Sequence, residues 1–207
     1  MLTIGVLVSG GGTNFQAIID AIASGQLTDT KIVTLVSSNP NAYALERAKK
    51  HNINATCIRK KDYETDILYQ QALIDHMKEK KVELVVMAGF MVVIGSLFIK
   101  EFENRIINIH PSLIPSFCGN GYYGLKVHEA ALEKGVKVTG ATVHFVTEET
   151  DAGPIIMQKP VAVLEGDTPE QLQKRVMEEA EWKILPDSIQ LFAHNRLKVI
   201  ENHVKIC

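Results

Sequence analysis

Residues 105–115 read Arg-Ile-Ile-Asn-Ile-His-Pro-Ser-Leu-Ile-Pro, an apolar run that ends in an amide, an imidazole and two prolines. The isoleucines are β-branched and favour a buried parallel strand, whereas the prolines cannot continue one. Asn108 and His110 lie two residues apart at the carboxyl end of this strand, so their side chains point to the same face. Ligands bind at this edge of open α/β sheets, and an amide beside an imidazole suits a developing oxyanion.

Strand-like and helix-like segments alternate along the rest of the chain, which predicts an α/β fold. We expect an open, mostly parallel twisted sheet flanked by helices, with an antiparallel strand pair in the C-terminal half. One domain, 1–207, is expected, drawn out into two lobes at 1–100 and 101–207. Predicted strands cover 2–8, 32–36, 55–58, 84–88, 106–110, 138–146 and 154–163, and predicted helices cover 41–50, 62–80 and 125–133, with others following the loop at 9–14 and beginning at Asp167.

The composition narrows the functional classes. With 207 residues and 46% hydrophobic side chains, the chain can bury one sizeable core. A net charge of -2 gives no electrostatic footprint for nucleic acid or an acidic membrane, so a small-molecule partner is expected. Three cysteines without metal-type spacing indicate a reducing compartment, the cytoplasm. No leader-like segment or apolar run of about 18 residues is present. The pattern leaves monomer and homodimer open.

A glycine-rich loop, Ser-Gly-Gly-Gly-Thr-Asn at residues 9–14, separates the first strand from the first helix. Backbone N–H groups of such a loop can approach an anion, and Thr13 or Asn14 can cap the helix or bond a phosphate oxygen. Phe15 occupies the third glycine position of the dinucleotide fingerprint, and the next strand ends without an acid for a ribose. A phosphate monoester site at Gly11 and Gly12 is therefore favoured, with a structural turn as the alternative.

The end of the fourth predicted strand brings Gly89 to the same edge of the sheet. A backbone without a side chain there would admit a flat apolar ligand. The apolar residues that follow, Met91, Val92, Val93 and Ile94, suit either the wall of a cofactor site or ordinary core packing.

Acid–base chemistry has three candidate residues: His110, His144 in the first antiparallel strand, and Asp151 in the turn after it. A carboxylate next to His110 would raise its pKa above about 6.5 and supply a cation near neutral pH. The alternatives are turn chemistry for Asp151 and core packing for His144. No nucleophile elbow and no H-x-x-x-H metal motif occurs, which favours metal-free polar chemistry.

Longer motifs carry a family resemblance. Asn-Ile-His-Pro-Ser-Leu-Ile-Pro at 108–115, Gly-Ala-Thr-Val-His-Phe-Val at 140–146 and Asp-Ala-Gly-Pro at 151–154 resemble the folate-dependent formyltransferases. The resemblance runs nearly end to end, since 9–14 resembles the family's phosphate loop and 87–91 its folate-contacting strand end. It implies transfer of a formyl group from 10-formyltetrahydrofolate, the co-substrate, to the amine of glycinamide ribonucleotide, without a metal.

The resemblance also implies roles for individual residues. The family's catalytic trio falls on Asn108, His110 and Asp151. His144 is implied to support this trio without contacting the substrate. Glu181, in Glu-Trp-Lys-Ile-Leu-Pro at 181–186, resembles the acid that holds the substrate. The remaining implied contacts are Gly11, Gly12, Thr13, Asn14, Gly89 and Pro111 for the ribonucleotide, and Met91, Val92, Val93, Ile94, Asn108, Thr147, Glu148, Glu149, Thr150 and Asp151 for the folate.

Two segments depart from the family pattern. Residues 117–123 carry extra glycine and tyrosine, and residues 63–66 replace an arginine that some members direct at the folate tail. The resemblance therefore assigns no contacts to these segments. Hydrolysis of the same formyl-folate is an alternative function, because it needs the same trio with water in place of the amine. A non-catalytic folate- or nucleotide-binding module is another.

Overall fold

The computed structural model describes residues 1–207, which divide into two compact units, Met1–Asn108 and Ile109–Cys207. The first unit contains β1 (Leu2–Val8), α1 (Thr13–Ser24), β2 (Thr30–Ser37), α2 (Tyr43–Lys50), β3 (Ala55–Cys57), a 3-10 turn (Lys60–Asp62), α3 (Asp66–Glu79), β4 (Leu84–Met87), α4 (Ser96–Glu101) and most of β5 (Ile106–His110). The second contains α5 (Leu125–Lys134), β6 (Val138–Phe145), β7 (Ile155–Ala162), α6 (Pro169–Val176), a π-helical turn (Met177–Glu181), α7 (Trp182–Ala193), β8 (Leu197–Ile200) and β9 (His203–Ile206).

Seven strands form one sheet with the hydrogen-bonded order β3-β2-β1-β4-β5-β6-β7, and β8 pairs with β9 separately. The pairs from β3 to β5 are parallel, whereas β6 and β7 are antiparallel. Helices connect the parallel strands, as crossover connections require. The structure confirms the predicted fold class.

The core of the first unit is centred on β1. Ile4 is fully buried and pairs with Ile32 of β2 and Leu84 of β4. A parallel strand covered on both faces reads as a continuous apolar run, which explains why the sequence signal was strong here. Gly5 interrupts the run because a β-carbon there would lie 2.7 Å from the Met77 sulfur of α3.

In the second unit, β6 is buried almost throughout, whereas from Met157 to Ala162 the buried or half-buried positions of β7 alternate with exposed ones. The alternation fits a strand with one solvated face. Pro160 lies in β7, which is the last strand in the hydrogen-bonded order. That position tolerates a residue without an N–H, because an edge strand leaves donors unpaired. The predicted antiparallel pair is confirmed.

Three elements lie outside the sequence prediction. The short helix α4, the hairpin of β8 and β9, and the π-helical turn before α7 were not predicted from the sequence. The start of α6 was predicted correctly: Thr168 and Gln171 form a reciprocal capping box, and Pro169 follows the cap. The helix predicted at 62–80 begins later, at Asp66, where Thr65 caps its first turn.

Candidate active site

The glycine loop of the first unit joins β1 to α1. Gly12 is the N-cap of α1 in the left-handed region, with φ 69° and ψ 35°, and its carbonyl accepts the first helical hydrogen bond from Gln16. No side chain caps the helix, so the prediction that Thr13 or Asn14 does so is wrong. Both are the first residues of α1 itself. The N-cap is thus a glycine, and a helix N-terminus that follows a glycine loop is an arrangement that accepts anions.

The ends of β1, β2 and β4 are tied together beside this loop. Ser9 donates its backbone N–H to the Gly89 carbonyl at 3.0 Å, and its hydroxyl accepts the Met91 N–H at 2.8 Å. The same hydroxyl lies 2.6 Å from that of Ser38. Gly89 adopts φ 74° in this turn, a conformation that favours glycine.

Two of the four apolar residues after Gly89 are exposed rather than packed in the core. Met91 is 53% exposed and Val93 is 67% exposed, whereas Ile94 is buried. The core-packing alternative is therefore wrong for Met91 and Val93. Exposed apolar side chains at the carboxyl edge of a parallel sheet suit the contact surface of an apolar ligand.

In the second unit, Asp151 lies between two histidines. Its Oδ2 is 3.6 Å from His110 Nδ1, and its Oδ1 is 3.6 Å from His144 Nε2. Both imidazoles are buried, and Asp151 is 10% exposed. The structure thus brings together three of the predicted residues. The two alternatives, a lone turn aspartate and a lone core histidine, are not what the fold contains.

Backbone carbonyls fix the other nitrogen of each ring. His110 Nε2 lies 2.9 Å from the Phe117 carbonyl, and His144 Nδ1 lies 2.8 Å from the Phe145 carbonyl. A carbonyl only accepts, so each of these nitrogens carries its hydrogen. The ring nitrogens without a hydrogen therefore face Asp151. A protonated His110 would become a charge-assisted partner of the carboxylate.

Burial, rather than Asp151, decides the direction of the His110 pKa. Desolvation lowers the pKa of His110 below its ordinary value; the Asp151 charge and the Phe117 carbonyl oppose this shift without overcoming it. The prediction of a raised pKa is wrong, because the sequence showed the carboxylate but not the depth of burial. Burial also acts to raise the pKa of Asp151, yet His144, His110 and the Gly119 N–H together hold it below its usual range.

A third histidine, His128 of α5, was not identified from the sequence. It is fully buried, and neither ring nitrogen has a hydrogen-bond partner. Burial lowers the pKa of His128 to about 4, and the His110 charge acts in the same direction. The only signal was its place on the buried face of α5, beside Val127 and Ala131, and such a pattern does not distinguish a histidine near a site from one in the core.

The irregular loop at residues 116–124 supplies backbone groups to the histidine–aspartate cluster. Besides the Phe117 carbonyl, the Gly119 N–H donates to Asp151 Oδ2 at 2.8 Å. Phe117 and Asp151 both adopt positive φ, at 50° and 56°. Residues other than glycine rarely do so, and such positions cluster at functional sites. Loop contacts that the family resemblance left unassigned are thus part of this cluster.

Thr142 of β6 anchors the segment between the two prolines. Its hydroxyl donates to the Ser112 carbonyl at 2.7 Å and accepts the Ile114 N–H at 3.1 Å. Gln158 of β7 donates to the same hydroxyl at 2.9 Å. The Ile114–Pro115 peptide is cis. These bonds hold the chain after His110 against the antiparallel pair, through a hydroxyl that the Gly-Ala-Thr-Val-His motif supplies.

The remaining predicted residues fall into three groups. Asn108 is half-buried on β5, two residues before His110, and Pro111 follows that strand. The turn at 147–150 is largely exposed and leads into Asp151, with the Thr147 hydroxyl donating to the Glu149 carbonyl at 3.2 Å. Glu181 is 5% exposed at the end of the π-helical turn. Their contacts with substrates stay predictions.

The geometry agrees with the comparisons with known proteins. The family model described as "Formyl transferase" matches residues 2–189. The chain belongs to the formyl transferase family. This family uses formyl-folate as a co-substrate.

Formyl transferase relatives match almost the whole chain. This chain is 38% identical over 202 residues to "Phosphoribosylglycinamide formyltransferase" of Haemophilus influenzae, and the match covers 98% of this chain and 92% of that one. It is 41% identical to "Trifunctional purine biosynthetic protein adenosine-3" of Gallus gallus, covering 99% of this chain but only 20% of that protein. Glycinamide ribonucleotide transformylase 1 from Symbiobacterium toebii superimposes with a TM-score of 0.93 at 43% identity, covering 100% of this chain and 94% of that one.

No helix is both long enough and apolar enough to cross a membrane. No cluster of three or more histidine, cysteine, aspartate or glutamate side chains is arranged to hold a metal ion.

Proposed function

We propose that the protein transfers the formyl group of 10-formyltetrahydrofolate to the primary amine of glycinamide ribonucleotide, giving formylglycinamide ribonucleotide and tetrahydrofolate in purine biosynthesis. The observation that carries the proposal is Asp151 lying 3.6 Å from both His110 and His144. The names of the near full-length relatives support the choice of substrate.

The proposed substrate contacts are made by residues that the sequence predicted, at the positions they occupy in the structure. The glycine loop takes the 5-phosphate of the ribonucleotide at the N-terminus of α1, where the N-cap is Gly12. The exposed apolar residues Met91 and Val93 contact the pterin, together with the turn at 147–150. Glu181, whose buried position restricts its side chain, binds the ribonucleotide at a point distant from the reacting amine.

The chemical step exchanges one carbon–nitrogen bond for another. The amine nitrogen forms a bond to the formyl carbon, the bond between that carbon and N10 of the folate breaks, and the proton lost by the amine ends on N10. Asp151 orders a water that carries this proton. Holding amine and formyl carbon in contact supplies much of the rate, because it removes the entropy cost of bringing them together.

Negative charge develops on the formyl oxygen when the amine attacks. Asn108 donates its amide N–H and His110 its Nε2–H, the hydrogen now held by the Phe117 carbonyl. Burial lowers the pKa of His110, so neutral imidazole is the resting form near pH 7. A neutral imidazole still donates, and the nearby Asp151 carboxylate favours proton uptake as charge builds.

One assay tests the function. Incubating 10-formyltetrahydrofolate with and without glycinamide ribonucleotide should release tetrahydrofolate only when the amine is present. Release at the same rate without the ribonucleotide would instead identify a formyl-folate hydrolase. No release in either case, with folate bound, would identify a binding module and overturn the proposal.

Cys57, Cys118 and Cys207 are free thiols, which supports placing the reaction in the cytoplasm.

A further inference from the structure

The first turn of α2 holds the glycine loop from one side. The Ala44 N–H donates to the Gly10 carbonyl at 3.2 Å, and Arg47 Nε donates to the Gly11 carbonyl at 2.8 Å. A β-carbon on Gly12 would lie 2.6 Å from that of Ala44, so the loop packs directly against the helix. Two consecutive carbonyls of the loop are thus bound by one neighbouring helix.

Peptide geometry converts these two bonds into a direction for the loop's donors. In a trans peptide the C=O and the following N–H point in opposite directions. Binding the Gly10 and Gly11 carbonyls to α2 therefore turns the N–H groups of Gly11 and Gly12 away from α2. Successive N–H groups on one side of a turn form a concave site for an anion.

Arg47 is itself held in place. Its Nη1 donates to Gln16 Oε1 at 3.1 Å, and its guanidinium lies 5.0 Å from the centre of the Tyr43 ring. The planar fork therefore links the loop carbonyl to α1 while stacked on an aromatic ring, a geometry that lysine cannot reproduce. Since α1 begins at the loop, Arg47 fixes both ends of the segment that presents the N–H groups.

We infer that Arg47 is a positioning residue, which orients the glycine loop for the phosphate of the ribonucleotide. The inference rests on the proposed function for the identity of the substrate. Arg47 acts through the Gly11 carbonyl rather than on the reacting atoms. Its loss should therefore weaken ribonucleotide binding while leaving the folate and the transfer step intact.

The test compares Arg47→Ala with the wild-type protein in formyl transfer. Losing the fork should raise KM for glycinamide ribonucleotide by about fivefold or more, the range for one or two hydrogen bonds. KM for 10-formyltetrahydrofolate and kcat at saturation should stay within about twofold. With glycinamide riboside, which lacks the phosphate, kcat/KM should be the same in both proteins.

Two further variants separate the fork from its charge. Lys49→Ala removes a cation from the same helix at an exposed position and should leave every parameter unchanged. Arg47→Lys keeps the charge but loses the planar fork, so its KM should lie closer to that of Arg47→Ala than to wild type. A wild-type KM in Arg47→Lys would show that charge alone matters, and an equal loss with the riboside would show a general disturbance. Either result overturns the inference.

A binding measurement keeps this inference separate from the proposed function. Inorganic phosphate should raise the melting temperature of the wild-type protein more than that of Arg47→Ala. If the wild type transfers no formyl group but shows this difference, the reaction is wrong and the positioning role stands. If transfer occurs and both proteins respond equally to phosphate and ribonucleotide, the positioning role is wrong.

Discussion

Replacing the buried His128 by leucine should make the protein less sensitive to acid. The wild-type side chain is fully buried without a hydrogen-bond partner, and its pKa falls from 6.5 to about 4. The unfolded chain takes up a proton on this histidine as the pH drops below about 6.5, whereas the folded protein does not until about pH 4. Stability is therefore complete above pH 6.5 and is lost as the pH falls toward 4.

The magnitude follows from the two pKa values. At pH 5 the unfolded state binds the His128 proton almost fully and the folded state hardly at all, which lowers the free energy of unfolding by about 2 kcal/mol relative to pH 7. The His128→Leu variant lacks this loss. It should therefore lose about 2 kcal/mol less than wild type between pH 7 and pH 5, while His110 titrates in both proteins.

Urea unfolding at pH 7 and pH 5 measures the difference directly. His203 lies exposed in β9, and His203→Gln serves as the control for removing a histidine from the surface. If wild type and His128→Leu lose the same free energy on acidification, the buried histidine does not have a depressed pKa. The reasoning from burial would then fail, including its application to His110.

Three further predictions concern the catalytic and binding residues. Asp151→Asn should lower the pKa of His110 further, measured by NMR, and reduce kcat by about 10²–10⁴-fold, with a much smaller loss in a His110→Ala background. Gly12→Val, which collides with α2, should raise KM for the ribonucleotide far more than KM for folate, whereas Gly10→Ala, with no atom within 4 Å of its β-carbon, should change neither. Glu181→Gln should weaken ribonucleotide binding by about 1–3 kcal/mol by calorimetry; a change in folate affinity alone would refute its assigned role.

Local patterns were sufficient for the strands and for the loops at their ends. β1 was predicted with its exact bounds, because a parallel strand buried on both faces is a continuous apolar run. The glycine loop and the Asn108 to Pro115 motif mark strand ends through residues that cannot continue a strand. The hairpin of β8 and β9 was not predicted because each strand is only four residues long and none of its residues is fully buried, so its alternation of apolar and polar residues is a short and weak signal.

The π-helical turn shows a different limit. Pro186 lies inside α7 and has no N–H to donate to the carbonyl four residues earlier, Trp182. The irregular turn at Met177–Glu181 immediately precedes that weak point, and turns of this type occur frequently at functional sites. The sequence showed a helical stripe through this region, because periodicity alone cannot register one residue more per turn.

The direction in which the His110 pKa shifts depends on the balance between burial and neighbouring charge. No sequence pattern contains that balance. His128 provides the comparison within the same unit. Both histidines are almost completely buried, but His128 has no partner for either nitrogen, and its pKa falls to about 4. His110 has the Phe117 carbonyl on one nitrogen and Asp151 facing the other, and both oppose the effect of burial. Asp151 therefore does not make His110 a permanent cation. In the proposed mechanism, its charge instead favours proton uptake by the buried imidazole as negative charge develops beside it, an effect that no carboxylate supplies to His128.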